Sequence, residues 1–347
     1  MGSNQGSEDL VTMFTEELTI TIPVFERTDF FDEALASALK QTGRPRIVVV
    51  DNASSHSWFE DAVRALGDER VVYVRNPSNL GLYGNWNRCA EVATTPFFTI
   101  LGDDDVMDPD YVETFLKARR EHPEITFFYS DIERFGECHK EHPLSRMPFG
   151  LVTGRELLIN AVDVGLGFPT GAMTLARSLF VLHRFLHTTM AYNQDWLFVY
   201  TALADQIGFG SPNHLIRFRI HHKGNSLAVG MRAFLSTTLI FQEIAAILTQ
   251  FDARKARLAR LRARWVPRNA VIAGHASVLR EQLSKAAEGS PFGLALVKAL
   301  ASDPILRLAI GNGGVTARLA YLILRVMRFA RRPIEKRLLS QWRQNHA

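Results

Sequence analysis

Cysteine is nearly absent: Cys89 and Cys138 are the only two in 347 residues. That is too few for the disulfide framework of a small secreted domain. No uninterrupted apolar run reaches the roughly 18 residues that a membrane-spanning helix requires. Residues 1–8 are polar, with neither the basic start nor the apolar stretch of a secretory signal. Gly6 stands where an N-myristoylation signal has Ser or Thr. The expectation is a cytosolic chain with a flexible start, residues 1–16. A G-x-G-x-x-G turn is missing after the first apolar run, where Pro23 stands instead, which argues against a nicotinamide-dependent oxidoreductase. The Gly-rich, basic first loop of a nucleotidyltransferase is missing too. Cys138, His139 and His142 have no second Cys/His pair to complete a zinc site, so that segment reads as a loop.

What is present is enough for a sizeable core: 47% of residues are hydrophobic and 22% charged, outside the range of disordered chains. The length suits one large catalytic domain with a helical appendage. The net charge of +4 conceals a division: residues 1–250 carry 21 Lys and Arg against 31 Asp and Glu, whereas residues 251–347 carry 19 against 5. The two halves must face different surroundings.

Short apolar runs alternate with helical patterns through the first 130 residues. Strands are expected over 18–24, 47–51, 71–75, 97–101 and 126–130, with crossover helices over 29–41, 58–66, 83–92 and 109–121, starting near Asp29 and Asp108. This alternation predicts βαβ units on a mostly parallel sheet flanked by helices. Beyond about residue 226 the pattern is helical, over 231–250, 253–264 and 270–287. The expected division is 17–228 for the catalytic domain and 229–347 for a basic helical region.

Each apolar run ends in a polar cluster: Phe25-Glu26-Arg27, Asp51-Asn52-Ala53-Ser54, Asn76-Pro77-Ser78-Asn79 and Gly102-Asp103-Asp104-Asp105. An open parallel sheet binds its ligand outside the carboxyl ends of its strands, so these clusters should converge. The Asp triplet is the sharpest of them. Three adjacent carboxylates repel one another, and a hard divalent cation, Mn²⁺ or Mg²⁺, relieves that repulsion and bridges to phosphates. A solvated acidic turn leading into the next helix is the plainer reading of the same residues.

In order and spacing, the run from Thr21 to Arg27, the stretch Val50-Asp51-Asn52-Ala53-Ser54, Asn79-Leu80-Gly81 with Asn85-Trp86-Asn87-Arg88, and the Asp triplet together resemble family 2 glycosyltransferases over residues 17–227. The resemblance implies a GT-A-type, Rossmann-like fold and sugar transfer from a nucleoside diphosphate, most commonly a UDP-sugar, with inversion at the anomeric carbon. It implies that Pro23, Phe25 and Glu26 lie along the base and ribose, that Asp51 contacts the nucleoside, and that Asn79 and Gly81 belong to the nucleotide-binding segment. Asp103, Asp104 and Asp105 overlie the family's DxD region, with Asp104 as the leading metal ligand. Many members have Asp where this chain has Gly102, so which two of the three carboxylates act is open. Downstream, Tyr192-Asn193-Gln194-Asp195-Trp196 resembles the helix start that carries the general base, here Asp195, with Gln194 where the family usually has Glu. The segment from Arg217 to Ser226 resembles the one that closes over the diphosphate, with His221 at the position able to ligate a metal.

The resemblance further implies a saccharide or lipid-linked saccharide acceptor, and polysaccharide or glycolipid synthesis as the setting. A non-catalytic scaffold that binds a membrane-assembly partner is the alternative use of such a fold. Residues 315–332 place Arg318, Arg325, Arg328 and Arg332 on one helical face and Leu319, Leu322, Ile323, Val326 and Phe329 on the others, the pattern of a helix lying in an interface. Trp342 is a candidate interfacial anchor. This basic region reads as docking on an anionic inner membrane face, or as packing on the acidic half of the chain, or as a homo-oligomer contact. No nucleic-acid motif accompanies the charge. On the membrane reading, the full-length chain co-sediments with anionic but not neutral vesicles, and binding falls as salt rises and on truncation after Gly314. Equal sedimentation of the truncated chain would leave the packing reading.

Overall fold

A computed structural model describes residues 15–137, 147–167, 171, 173–184, 193–221, 225–272, 303 and 306. The chain opens with β1 (Leu18–Val24), α1 (Phe31–Leu39), β2 (Arg46–Asp51), α2 (Trp58–Leu66), β3 (Val71–Arg75), α3 (Gly81–Val92) and β4 (Phe97–Ile100). Strands β1 and β2 are almost wholly buried runs, LTITIPV and RIVVVD, as expected of strands covered on both faces by helices. α1 buries Phe31, Ala34, Leu35 and Ala38, and Phe31, Leu35 and Ala38 join the core that holds β1 and β2. α2 stops at Gly67, whose φ of 62° is a left-handed conformation that glycine adopts without penalty.

After β4 come β5 (Val106–Met107), α4 (Tyr111–Glu121), β6 (Phe127–Gly136), β7 (Gly150–Thr153), α5 (Gly154–Asp163), β8 (Met173–Ala176), α6 (Arg177–Leu182), α7 (Gln194–Ala202) and β9 (Ile207–Ile220). The nine strands form one sheet in the order β3-β2-β1-β4-β8-β6-β9-β5, with β7 also pairing β9. β3, β2, β1 and β4 are mutually parallel. β8 then enters antiparallel between β4 and β6, so the later half of the sheet is mixed rather than continuing the parallel pattern. Pro23 is tolerated in central β1 because pairing with β4 ends at Thr21 and Ile100, before the proline is reached. α4 begins after Asp108, whose carboxylate accepts from Asp110 N (3.0 Å) and whose carbonyl accepts from Tyr111 N (3.1 Å).

The strand order reverses between β1 and β4, and the loops that follow these two strands therefore open one crevice. The main core lies beneath it, built on β1, β2, β4, β6 and their helices. A second apolar cluster joins Leu158, Ala161 and Val162 of α5 and Leu197 and Tyr200 of α7 to α8 (Asn225–Leu248) and α9 (Ala253–Ile272). α9 runs through Pro267 without the break expected between residues 264 and 270. No described helix is long and apolar enough to cross a membrane. The Cys138–His142 segment, the 315–332 helix and Trp342 lie outside the described residues.

α5 is held at its start by a reciprocal cap, Thr153 accepting from Glu156 N while the Glu156 carboxylate accepts from Thr153 N. Gly154 is required just inside that cap, because a Cβ there would stand 1.6 Å from the Leu203 carbonyl oxygen. Gly154→Ala must push α5 away from the end of α7. A stability loss of about 3 kcal/mol is expected, the upper range of ordinary overpacking, read from denaturant unfolding. An unchanged midpoint would mean that the two elements are not in this contact.

Candidate functional site

The loops that end β1 and β2 grip each other. Glu26 and Ala53 have φ of 57° and 63°, uncommon for residues with side chains. Glu26 N donates to Ser54 Oγ (3.0 Å), and the Glu26 carboxylate accepts from Ser55 N and Ser55 Oγ, both 2.8 Å. Those Ser55 bonds, side chain first, hold Glu26 below the usual carboxylate range. Asp51 is wholly buried and accepts from Ser54 N (3.0 Å), Ser54 Oγ (2.6 Å), Tyr73 Oη (2.6 Å) and Arg75 Nη1 (2.7 Å). Phe25 presents its ring to solvent at 42% exposure, a free apolar face at the mouth of the crevice.

Four asparagines tie the ends of β2 and β3 to the start of α3. Asn52 Nδ2 donates to Asn79 Oδ1 (2.8 Å), Leu80 N donates to Asn52 Oδ1 (2.9 Å), and Gly81 N donates to Asn79 Oδ1 (2.8 Å). Asn76 Nδ2 donates to Asn85 Oδ1 (2.8 Å), and Asn85 Nδ2 to the Val50 carbonyl (3.1 Å). Gly81 has a φ of 72°, which accounts for glycine at that turn. Asn85 and Asn87 are buried, not surface residues of the helix.

The Asp triplet closes the opposite side of the crevice. Arg27 Nη2 donates to Asp103 Oδ1 (2.5 Å) and Asp104 Oδ2 (2.7 Å). His221, at the end of β9, sets its Nε2 2.9 Å from Asp104 Oδ2 and 3.2 Å from Arg27 Nη1, with its ring edge-on to Phe30 at 4.7 Å. Asp105 lies deeper. Its Oδ1 accepts from Arg219 N (3.0 Å), while Arg219 Nε donates to the Asp104 carbonyl (2.8 Å) and Arg219 pairs with Glu33. A Cβ on residue 102 would meet Asp105 Oδ2 at 2.8 Å and Asp104 Oδ1 at 2.9 Å, so any larger residue there would require these two carboxylates to shift. Burial is the first cause that pushes Asp103 up to about 6 and Asp105 up to about 8, with Asp104's charge adding to the rise of Asp105.

Among the described residues no group of three His, Cys, Asp or Glu side chains stands as a finished metal cage. The donors nevertheless fit a divalent cation. One ring nitrogen cannot both donate to Asp104 and accept from Arg27, whereas a cation would accept lone pairs from His221 Nε2 and Asp104 together. His221 Nδ1 is also buried without a partner. Asp103, which shares Arg27 with Asp104, is better placed than the deeper Asp105 to supply a second carboxylate.

Asp195 sits in the first turn of α7, where the helix dipole stabilises a negative charge. Tyr83 Oη, on α3, reaches Asp195 Oδ1 at 3.4 Å and accepts from Gln194 N (3.2 Å). Burial, and then Asp195, hold the Tyr83 phenol protonated well above its ordinary range. Asn193, with a φ of 58°, donates through Nδ2 to Ser236 of α8 (2.8 Å). Asp195 is thus joined through Tyr83 to α3, the helix that begins at Gly81. Arg27 and Asn52 are legible in the sequence only as members of their clusters and Arg219 only as part of the segment from Arg217 to Ser226, whereas no sequence pattern singles out Tyr83.

A mixed sheet with loops converging at its switch point, an acidic triplet beside a buried His and an Asp at a helix start define a GT-A-type domain. Residues 19–182 match the family described as Glycosyl transferase family 2, and the domain they build belongs to that family. WcaA of Escherichia coli strain K12, whose name connects it with colanic acid biosynthesis and glycosyl transfer, is 27% identical over 117 residues, 33% of this chain and 42% of WcaA. The chain thus matches less than half the length of that relative. Residues 1–349 of S. aureus TarS in complex with UDP-GlcNAc superpose with a TM-score of 0.57 at 15% identity, covering 95% of this chain and 92% of that one. The mannosyltransferase PcManGT from Pyrobaculum calidifontis, in complex with GDP-Man and Mn²⁺, gives 0.51 at 18% identity, covering 90% and 86%. At these identities the two structures establish the fold.

The raised carboxyls carry a pH signature. Each keeps its proton to a higher pH in the folded chain than at its ordinary value of 3.8. The folded state then binds more protons than the unfolded one between those limits, so their contribution is fully present below about pH 4 and is lost as pH rises through the folded values. In chelator, thermal unfolding midpoints should fall between about pH 5 and pH 8, and Asp105→Asn should flatten the slope. An Asp105→Asn slope equal to that of wild type would show that Asp105 ionises normally.

Proposed function

We propose that this chain is a metal-dependent glycosyltransferase that moves a sugar from a nucleoside diphosphate to an acceptor hydroxyl, with inversion. The observation that carries the reading is the meeting of Asp103, Asp104 and His221 from distant parts of the chain at the switch point of the sheet. Such an acidic, partly buried mouth suits a diphosphate only in company with positive charge. Asp104 and His221, with Asp103 or Asp105, would hold Mn²⁺ or Mg²⁺. The cation, when bound, supplies charge stabilisation of the leaving diphosphate.

The rest falls to the protein. Phe25 offers its exposed face to the base, Pro23 and Glu26 shape the loop beside the ribose, and Asp51 fixes the floor beneath the nucleoside. Asn79 and Gly81 set the start of α3 along the nucleotide. Asp195 takes the proton of the acceptor hydroxyl as its oxygen bonds to the anomeric carbon, and the electrons of the breaking carbon–oxygen bond pass to the departing diphosphate. Tyr83 keeps Asp195 in position. UDP-sugars and GDP-sugars are the donors to test first, given the nucleotides bound by the two structural neighbours.

A saccharide or lipid-linked acceptor accords with the name of WcaA. It also accords with α9, which has no acidic residue and leaves Arg254, Arg257, Arg260 and Arg264 exposed, a surface suited to the anionic inner face of a membrane.

Release of UDP or GDP from nucleotide sugars, with Mn²⁺ and with chelator, tests the enzyme against the scaffold reading, which requires no release. Asp195→Asn keeps the shape and removes the basicity. It should leave nucleotide affinity near wild type and lower turnover by about 10² or more. An equal loss of nucleotide affinity would assign Asp195 to holding the helix start instead.

A further inference from the structure

Arg27 occupies the centre of the acidic mouth, and its surroundings do not fully satisfy it. Its Nη2 bridges Asp103 and Asp104, and its Nη1 faces a His221 nitrogen that also faces Asp104. Arg27 Nε and His221 Nδ1 are both buried without a partner, and unmade hydrogen bonds of this kind are costly. Phe30 lies beneath the guanidinium at 5.8 Å from its ring centre. The side chain still keeps 21% of its surface open to solvent, so it is not sealed in. The charge balance is also incomplete, since one guanidinium faces two carboxylates while Arg219, the other nearby arginine, is paired with Glu33.

The geometry points to Arg27 as an exchangeable counter-ion. In the donor-free chain it neutralises Asp103 and Asp104. When a divalent cation takes those oxygens and His221 Nε2, Arg27 turns outward and pairs with the donor's diphosphate. This rests on the nucleotide-sugar reading above. The exchange suits both partners. A doubly charged ion balances the carboxylate pair better than a singly charged one, and the planar donor fork of a released guanidinium matches two phosphate oxygens. Arg27 reaches from the same loop as Phe25, so its release leaves it beside the nucleotide rather than free in solvent.

The test is calorimetric titration of the nucleotide-free, full-length chain with Mn²⁺ alone, for wild type, Arg27→Gln and Arg27→Lys. With no guanidinium to displace, Arg27→Gln should bind Mn²⁺ about tenfold more tightly, the scale of one hydrogen bond to a charged group. In saturating Mn²⁺ the same variant should bind UDP or GDP, whichever wild type binds, about tenfold more weakly. Arg27→Lys, which keeps the charge and perturbs the fold least, should fall between the two in both titrations. Damage to the fold would weaken both affinities, so the opposite movement is specific to exchange. Mn²⁺ binding by Arg27→Gln that equals or falls below wild type overturns the exchange and leaves the metal-dependent reading standing. Absence of Mn²⁺ binding in wild type and variants alike overturns both.

Discussion

Negative charge packed into a poorly solvated strand end is the constraint around which this site is arranged. Asp103 and Asp105 are pushed upward chiefly by burial, and in that environment an unpaired carboxylate is costly. The surrounding residues are the response. Arg27 crosses from the end of β1, Arg219 comes in from β9 to donate to Asp105 and to the Asp104 carbonyl, and His221 follows two residues later. Gly102 leaves the Asp104 and Asp105 carboxylates room to turn back over it. Gly171 belongs to the same arrangement, since a Cβ there would press to 3.3 Å from Asp105 Oδ2.

Where β2, β3 and α3 meet, the crevice is held largely by neutral amides. Asn52, Asn76, Asn79 and Asn85 exchange hydrogen bonds with one another and with backbone groups of β2 and α3. Asn52, Asn76 and Asn85 are buried and Asn79 is exposed, and hydrogen-bonded side-chain networks of this kind favour one arrangement. Here they fix the start of α3 relative to the ends of β2 and β3. The positive φ at Glu26 and Ala53 is held by the same logic, through Ser54 and Ser55.

Much of the fold is legible because buried parallel strands read as apolar runs. β1 and β3 occupy the expected spans, and α2 does as well. The later half is harder, since β5 has two residues, too short for a periodic signal, and β8 enters antiparallel between strands distant in sequence. Their places in the sheet come from tertiary pairing alone. The site divides in the same way. The strand-end clusters are visible in sequence because parallel topology sends every such end to one edge. The Arg27 and His221 contact spans 194 positions, and no local pattern announces it. Asn85 and Asn87 resemble surface residues on a helix until the asparagine network shows Asn85 facing the sheet.

The two halves of the crevice have different mechanical supports. Arg27, Asp51, the Asp triplet and His221 follow or end β1, β2, β4 and β9, which share the main core. Asp195 instead rides on α7, whose Phe198 and Val199 enter that core while Leu197 and Tyr200 enter the second cluster with α8 and α9. Asn193, one turn-forming residue before the helix, is bonded to Ser236 of α8. Movement of α8 against the sheet would therefore shift Asp195 relative to the Asp triplet, with Tyr83 as a direct tie between the two supports. In the transfer proposed above, proton acceptance and leaving-group stabilisation would act on one substrate pair at once, and small misplacements of reacting groups are expensive in rate. α8, and α9 packed with it, consequently help to set where Asp195 stands, whatever surface the arginines of α9 meet.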